Sequence, residues 1–348
     1  MLAPTHEEEE AISTTSTPSS PPDLRAQKLK RVLQEPIVDM AQLRKLSWQG
    51  IPPELRANTW RLLLDYLPAN ADRRNQVLDR KREEYSATIP RYFDVDDTHR
   101  TNEEQTIYKQ IQLDVPRTLP TMTLFQNQDV QQALARVLYI WGIRHPASGY
   151  VQGINDLATP FIILFLQENM NKEIRQIDPS TIPSEVLTRV EADTYWCLTK
   201  LLDGIQDNYT FAQPGIQRMM FKLSELVKRI DAPLYDHLKQ QEVDFAHFSF
   251  TWMNCLLLRA FPMHLSTRIW DTYLAEVEPF SILHVYVCAA FLCHFSAELR
   301  SKDFQDMLMF LNNPPTQSWN LQQIDVLLSQ AYLWKSLYEN SPKHLNHR

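Results

Sequence analysis

Two polar side chains near the middle of the chain could do chemistry, because each lies on a short break beside a predicted helix. The first is Arg117, at the end of the segment Ile-Gln-Leu-Asp-Val-Pro-Arg that begins at Ile111. Pro116 ends the preceding helix, since the residue before a proline is pushed out of the α region. Asp114, three residues before Arg117, can hold the guanidinium by a charge-assisted hydrogen bond. This support is what a cation needs if it must reach a fixed place in another molecule's active site.

The second candidate is Gln152, in the segment Ser-Gly-Tyr-Val-Gln-Gly-Ile-Asn-Asp. Gly149 and Gly153 flank this glutamine, and the whole chain contains only 6 glycines. Two glycines four residues apart therefore predict backbone that needs a positive φ or a close approach. Asn155 or Asp156 would cap the apolar helix that follows.

Two helices must position these residues. Thr101 and Glu104 form a predicted capping box for the helix that precedes Arg117. Asp129 and Gln132 form a second predicted capping box, for an apolar helix that precedes the glutamine segment. Both candidate residues would then lie where a helix ends or begins.

Each candidate residue also has an unremarkable interpretation. A lone Arg near an Asp is usually a surface ion pair that contributes ~0–1 kcal/mol, and a lone Gln in a loop is usually solvated. Considered singly, Arg117 and Gln152 would more often be such residues. Their order and spacing relative to further motifs are more informative.

Three motifs in order resemble those of the TBC-domain family, the GTPase-activating proteins of Rab GTPases. They are R-x-x-x-W from Arg56 to Trp60, I-x-x-D-x-x-R from Ile111 to Arg117, and Y-x-Q from Tyr150 to Gln152. A downstream segment with Trp270 and Asp271 is similar to the second half of the family's domain. The resemblance covers about residues 47 to 335, and segments 248–254 and 285–291 look most like the Golgi-associated subgroup.

This resemblance implies that Arg117 is an arginine finger and Gln152 a glutamine finger, both supplied in trans to a Rab. During GTP hydrolysis negative charge builds on the phosphoryl oxygens; a guanidinium stabilises that charge, and a glutamine amide orients the attacking water. An arginine finger contributes ~10³–10⁵ in rate for GTPases generally. The chain would then be a GTPase activator rather than an enzyme with its own active site. It would use no cofactor or metal of its own and act on the GTP and Mg²⁺ bound to the Rab.

Further residues of the motifs are assigned to two groups. Those expected to support the fingers or to face the Rab are Ile111, Asp114, Tyr150, Gly153, Asn155 and Asp156. Those expected to be structural are Arg56, Trp60, Trp270 and Asp271. Because Arg56 and Trp60 are i and i+4 on a helix, the guanidinium can lie on the indole, a contact of ~0.5–2 kcal/mol. Asp271 is expected to cap a helix or to form an ion pair.

Other functions fit the sequence less well. A catalytically silent TBC scaffold, which binds a Rab or an adaptor without stimulating hydrolysis, is the alternative, but both finger residues are present. A stand-alone hydrolase has little support, since H-E-x-x-H, G-x-S-x-G and Walker A motifs are all missing from the sequence. A formal net charge of −7 and a pI near 5.8 argue against a nucleic-acid partner.

Composition also bears on location. The 4 cysteines lie in apolar patterns without a C-x-x-C, which predicts buried free thiols and a reducing cytosol. The longest apolar runs, 160–166 and 285–295, are shorter than the ~20 residues of a membrane-spanning helix. We expect a cytoplasmic protein without a transmembrane segment. The subgroup resemblance adds peripheral recruitment by an adaptor to Golgi or secretory-pathway membranes.

The predicted fold is all-α, with many helices in two lobes, because no segment shows sustained β alternation. Residues 1–23 form a predicted disordered acidic and Ser/Thr/Pro tail, 24–46 a helical extension, and 341–348 a C-terminal tail. The TBC domain would span 47–340, with the fingers in a first lobe of about 47–205 and a second lobe of about 206–340. Helices are predicted over 24–34, 248–259, 282–300 and 321–338, and a polar loop over 167–185.

Overall fold

The computed structural model describes residues 24–339, and this part of the chain forms sixteen α-helices and no strand. The predicted all-α fold is therefore confirmed. One isolated antiparallel bridge, between Ile37 and Asn70, is the β pairing found among the described residues. The predicted tails at 1–23 and 341–348 lie outside that range.

The first eight helices are α1 (Leu24–Gln34), α2 (Met40–Ser47), α3 (Pro53–Leu63), α4 (Arg74–Ser86), α5 (Asn102–Asp114), α6 (Gln128–Arg144), α7 (Ile154–Met170) and α8 (Ser184–Asp203). Short 3₁₀ turns connect them at Ala71–Arg73, Asp97–His99, Val115–Arg117, Thr123–Gln126, Ile174–Gln176 and Pro179–Thr181, and a π turn spans Ile89–Phe93. Both candidate finger residues lie in connections among these eight helices, Arg117 directly after α5 and Gln152 between α6 and α7.

Eight further helices form the rest of the described chain. They are α9 (Pro214–Ile230), α10 (Ala232–Gln240), α11 (Ala246–Asn254), α12 (Met263–Ala275), α13 (Phe280–His294), α14 (Ser296–Leu299), α15 (Phe304–Asn312) and α16 (Leu321–Tyr338). Two 3₁₀ turns, at Gln206–Asn208 and Thr316–Ser318, lie among them.

Helix α7 is the centre of the first group. Its residues 154–166 are all buried, because the segment is apolar on every side and packs against α3, α6 and α8. Helix α13 has the same role in the second group, where it packs against α9 and α16. Helix α12 joins the groups through contacts with α2 and α3. The boundary between two lobes near residue 205 stays a prediction.

The R-x-x-x-W motif contributes to this junction in a way that differs from the predicted stacking. The Arg56 guanidinium binds the Asp271 carboxylate, with Nε 3.0 Å from Oδ1. The Trp60 indole donates to the same carboxylate at 2.8 Å and stacks on Trp270 at 6.0 Å. Burial raises the pKa of Asp271, and the Arg56 charge opposes this shift. Arg56 and Trp60 therefore meet through Asp271, which is the predicted ion-pair partner.

Several predicted helix ends differ from the observed ones. Helix α6 begins at Gln128 because the Asn127 side chain accepts hydrogen bonds from two backbone amides, so the predicted capping box at Asp129 and Gln132 is wrong. Helix α7 continues to Met170, so the predicted polar loop starts later. The predicted helix over 248–259 ends at Asn254.

Backbone conformation explains the early end of α11. Leu256 and Leu257 have φ values of 48° and 63°, in the left-handed region, so the chain turns there. The sequence has no glycine at this position that would predict the turn. The predicted helix over 282–300 is likewise divided, at Phe295, into α13 and α14. None of the described helices combines the length and the apolarity needed to cross a bilayer.

Candidate functional site

Arg117 lies on a 3₁₀ turn directly after α5. The predicted capping box of Thr101 and Glu104 starts that helix, and α5 ends at Asp114. The Arg117 Nε donates to the Leu113 carbonyl at 2.8 Å, and Nη2 donates to Asp114 at 2.6 Å. The side chain remains 64% exposed. The guanidinium is thus fixed at its base while its outer edge faces solvent.

Asp114 is the buried anchor of this turn, with its side chain 2% exposed. Its Oδ1 accepts from Arg117, and its Oδ2 accepts from Gln110 Nε2 at 3.0 Å and from the Tyr150 hydroxyl at 2.9 Å. Burial, and next the Asp114 charge, raise the pKa of Tyr150 well above its ordinary value. The hydroxyl therefore stays protonated and donates to the carboxylate.

The glutamine segment has the backbone that its glycines predict. Gly149 and Gly153 have φ values of 61° and 108°. Gly153 occupies the cap position of α7 without a side-chain cap, so the expectation that Asn155 or Asp156 caps the helix is wrong. Instead, Asn155 Oδ1 accepts from the Gly153 amide at 2.9 Å and bends the loop back on the start of the helix.

A closed ring of hydrogen bonds joins the two segments. The Tyr150 hydroxyl lies 2.9 Å from Asp114 and 3.2 Å from Asn155 Oδ1. Asn155 Nδ2 donates to Thr118 Oγ1 at 2.9 Å, and Thr118 donates to the Asp114 carbonyl at 3.0 Å. These four side chains are all buried. Because each is held by the next, the turn that carries Arg117 and the loop that carries Gln152 are fixed relative to each other.

The second half of the chain holds the glutamine loop from the other side. Asn254, the last residue of α11, donates to the Gln152 carbonyl at 2.8 Å. A Cβ at Gly153 would lie only 2.2 Å from Asn254 Nδ2, so glycine is needed for this close approach. The Gln152 side chain itself is exposed. The loop is therefore clamped by its backbone, and its amide is left accessible.

Asp156 adds a second link to the other half. Its Oδ2 is 2.7 Å from Arg259 Nη2 and accepts a 3.3 Å hydrogen bond from the Cys255 thiol. Burial, and next the Asp156 charge, raise the pKa of Cys255 well above its ordinary value. Cys255 is thus a buried neutral thiol, as the sequence predicts, and supports the start of α7.

A family model described as the Rab-GTPase-TBC domain matches residues 53–300 of the chain. The chain belongs to this family. It is 52% identical over 323 residues to the GTPase-activating protein gyp1 of Schizosaccharomyces pombe, covering 92% of this chain and 63% of that protein. It is 47% identical to human TBC1 domain family member 22B, covering 96% of this chain and 66% of that protein. The chain therefore spans less than two thirds of these curated relatives.

Among solved structures, the Ypt/Rab-GAP domain of Gyp1p superimposes with a TM-score of 0.85 at 47% identity, covering 90% of this chain and 98% of that one. The family match begins at the first residue of α3 and ends just after α14. Helices α2 and α16 lie outside the match and pack on α12; the predicted domain bounds stay a prediction.

The TBC domain brings most of the predicted site residues together. Asp114, Tyr150 and Asn155 form the buried ring, and Asp156 joins the second half. Ile111, in the last turn of α5, is fully buried, which suits support of the turn and not contact with a partner. Trp270 and Asp271 lie at the junction with α3, away from the ring.

Sequence reasoning missed four residues of the site: Gln110, Thr118, Asn254 and Arg259. Thr118 directly follows the I-x-x-D-x-x-R motif, and Gln110 directly precedes it, so proximity could have drawn attention to both. Asn254 and Arg259 lie 102 and 103 positions from their partners and have no local signal in the sequence.

His145, which lies close in sequence to the glutamine segment, is structural. Its Nδ1 contacts the Trp141 carbonyl at 2.8 Å, and its ring stacks on Trp141.

Proposed function

We propose that this protein accelerates GTP hydrolysis by a Rab-family GTPase and switches off the vesicle traffic that the Rab drives. Arg117 and Gln152 act in trans as an arginine finger and a glutamine finger. One observation carries the proposal: two exposed polar side chains from separate segments rest on a single buried ring of hydrogen bonds. Functional groups must be held in their productive geometry by supporting hydrogen bonds, and this ring holds both segments in that way.

The chemistry of the two groups suits the proposed reaction. Nε and Nη2 of Arg117 are bound within the turn, and Nη1 has no hydrogen bond to the described residues. Nη1 can therefore reach a phosphoryl oxygen while the base of the side chain stays fixed. Lysine cannot do both, because it has one nitrogen and no planar fork. The Gln152 amide can orient the attacking water. In this role it takes the place of a glutamine of the GTPase.

The partner supplies the nucleotide. On this proposal, GTP and Mg²⁺ arrive bound to the Rab, the chain contributes no cofactor, and it is an activator with no independent active site. The names of two relatives, a GTPase-activating protein and a Ypt/Rab-GAP domain, support the activator role. We place the protein in the cytoplasm, recruited by an adaptor to Golgi or secretory-pathway membranes, in keeping with the subgroup it resembles.

The test is single-turnover phosphate release from a panel of GTP-loaded Rabs. Wild type should accelerate one or a few Rabs, and Arg117→Ala and Gln152→Ala should each remove most of that acceleration, since an arginine finger contributes ~10³-fold or more. Gln152→Ala should melt at the wild-type temperature, because that side chain is exposed. Arg117→Ala removes the charged partner of the buried Asp114, so it should melt at a lower temperature but remain folded, since Gln110 and Tyr150 still donate to that carboxylate.

A matched control is Arg80→Ala. Arg80 is 63% exposed, about as much as Arg117, and pairs at 3.6 Å with the exposed Glu84 on its own helix. It lies on α4, where Arg82 binds Asp193. Arg61 joins Asp193 to Glu168, near the end of α7. That end is roughly 20 Å from the start of α7, which follows Gln152. This variant should keep full activity. Binding of a Rab without acceleration by wild type would favour the silent scaffold and contradict the proposed function.

A further inference from the structure

Beside the glutamine loop, residues 209–213 present a bare aromatic ring to solvent. Phe211 is 96% exposed, the highest value for any large apolar side chain among residues 24–339. A single exposed apolar residue is ordinary in a soluble protein and needs no explanation. Three further features of this loop make Phe211 different.

The first feature is the backbone. Ala212 and Gln213 have φ values of 61° and 47°, so two consecutive residues with side chains lie in the left-handed region. This conformation is unfavourable for L-residues, and it persists only where the surroundings impose it. A strained loop that exposes an aromatic ring is a reason to look for a binding role.

The second feature is how firmly the loop is held. The Gln213 amide donates to the Thr210 carbonyl at 2.9 Å, and its side chain donates to the Asn208 carbonyl at 2.9 Å. Gln217, from the first turns of α9, donates to the Ala212 carbonyl at 2.6 Å. Phe211 therefore stands on a braced loop, and little conformational entropy is lost when its ring is buried by a partner.

The third feature is position. Tyr209 is buried and donates to the Asn254 carbonyl at 2.8 Å. Asn254 in turn donates to the Gln152 carbonyl at 2.8 Å. Phe211 follows Tyr209 by two residues, so their backbones lie within ~7 Å of each other. One hydrogen-bonded unit thus carries both the exposed Gln152 amide and the exposed Phe211 ring.

A second exposed apolar side chain belongs to the arginine segment. Leu113, whose carbonyl binds Arg117, is 62% exposed. The two polar groups are thus accompanied by Leu113 on the arginine side and Phe211 on the glutamine side. Aromatic residues are enriched among the side chains that contribute most to protein–protein affinity.

We propose that Phe211 is an apolar anchor for the same GTP-bound GTPase on whose nucleotide Arg117 and Gln152 act. The ring packs on an apolar surface of the GTPase next to its nucleotide site. It contributes affinity and orientation but takes no part in the chemistry. This proposal rests on the proposed function in one respect, namely that a GTP-loaded Rab binds at the finger site.

The experiment compares wild type, Phe211→Ala and Phe211→Leu against the GTP-loaded Rab that binds wild type most tightly in the panel. The Kd is measured by interferometry, and kcat and KM are taken from phosphate release. For Phe211→Ala we expect Kd and KM to rise by about tenfold or more, with kcat unchanged, because the ring acts through apolar burial. Phe211→Leu keeps part of the apolar area and should give an intermediate value.

Val277→Ala is the control. Val277 is 87% exposed and follows the end of α12, a helix ~20 Å long that begins four residues after Arg259. Its Kd and KM should equal those of wild type. A Phe211→Ala variant whose Kd and KM stay within about twofold of wild type overturns the proposal. So does a fall in kcat at constant KM, which would make Phe211 a positioning residue of the glutamine loop.

Failure of the proposed function gives a different pattern. If a Rab binds but is not accelerated, the finger mechanism is wrong, and the Kd of Phe211→Ala alone decides the anchor. If wild type binds no GTP-loaded Rab, both proposals are overturned. A loss of self-association or of liposome binding in Phe211→Ala, with the Rab Kd unchanged, would assign the ring to another partner and also contradict the proposal.

Discussion

Replacing Tyr150 with phenylalanine removes one buried hydroxyl and keeps the ring in place. That hydroxyl joins the two finger segments, because it donates to Asp114 at 2.9 Å and lies 3.2 Å from Asn155. After the change, the Asp114 carboxylate still accepts hydrogen bonds from Arg117 and Gln110, so its charge remains paired. The variant therefore tests the link between the segments without destroying either one.

The size of the effect follows from the contact that is lost. A hydrogen bond to a charged group contributes about 1.5–3 kcal/mol, and Tyr150 is only 9% exposed, so water does not replace it well. We expect Tyr150→Phe to lower the free energy of unfolding by that amount. If the fingers act as proposed, a loosened link misplaces them, and kcat for the Rab should fall by roughly 10- to 100-fold.

A matched control separates these two effects. The Tyr66 hydroxyl also donates to a buried carboxylate, Asp193, at 2.8 Å, and Tyr66 is 4% exposed. Tyr66→Phe should lower stability similarly in urea denaturation but leave kcat unchanged. The reasoning is refuted if Tyr150→Phe denatures at the wild-type urea concentration, or if its kcat falls no further than that of Tyr66→Phe.

Two other predictions concern the backbone clamp and a buried histidine. Gly153→Ala should lower both stability and the rate of GTP hydrolysis, because φ is 108° and the new Cβ would lie 2.2 Å from Asn254 Nδ2. Gly204→Ala is the control in the same assays, since the atom nearest to its new Cβ is 3.5 Å away. Burial lowers the pKa of His284 to about 4 from an ordinary value of 6.5. In the unfolded chain His284 is protonated as the pH falls below about 6.5, whereas in the folded protein it stays neutral down to about pH 4. The free energy of unfolding should therefore fall as the pH drops through this window, by about 3 kcal/mol in all. Urea titrations of wild type and His284→Gln measure it, and equal pH slopes would contradict it.

Features with a local cause could be predicted from the sequence. The bounds of α1 and α16 agree with the predicted Leu24–Gln34 and Leu321–Tyr338, because apolar spacing and polar ends coincide there. The capping box of Thr101 and Glu104 is present for the same reason. The positive φ values at Gly149 and Gly153 follow from glycine being the residue that tolerates them.

Features that depend on residues far away in the sequence could not be predicted from it. No glycine marks the turn after α11, since two leucines adopt the left-handed conformation that tertiary packing imposes. The stacking expected for Arg56 and Trp60 was wrong because Asp271, 215 and 211 positions away, attracts both donors. A motif indicates which residue types are needed, but their hydrogen-bond partners are decided by packing.

The two candidate finger segments are held by different parts of the chain. The Arg117 turn is held by Asp114, Tyr150 and Thr118, which all belong to the first half. The Gln152 loop is held on one side by that ring and on the other by Asn254, from α11. The position of the glutamine is therefore set jointly by both halves, whereas that of the arginine is set by one. A change in α11 that leaves the fold intact would then shift Gln152 without shifting Arg117. If the two residues act as proposed, the cost of such a change would fall on the orientation of water rather than on the stabilisation of charge.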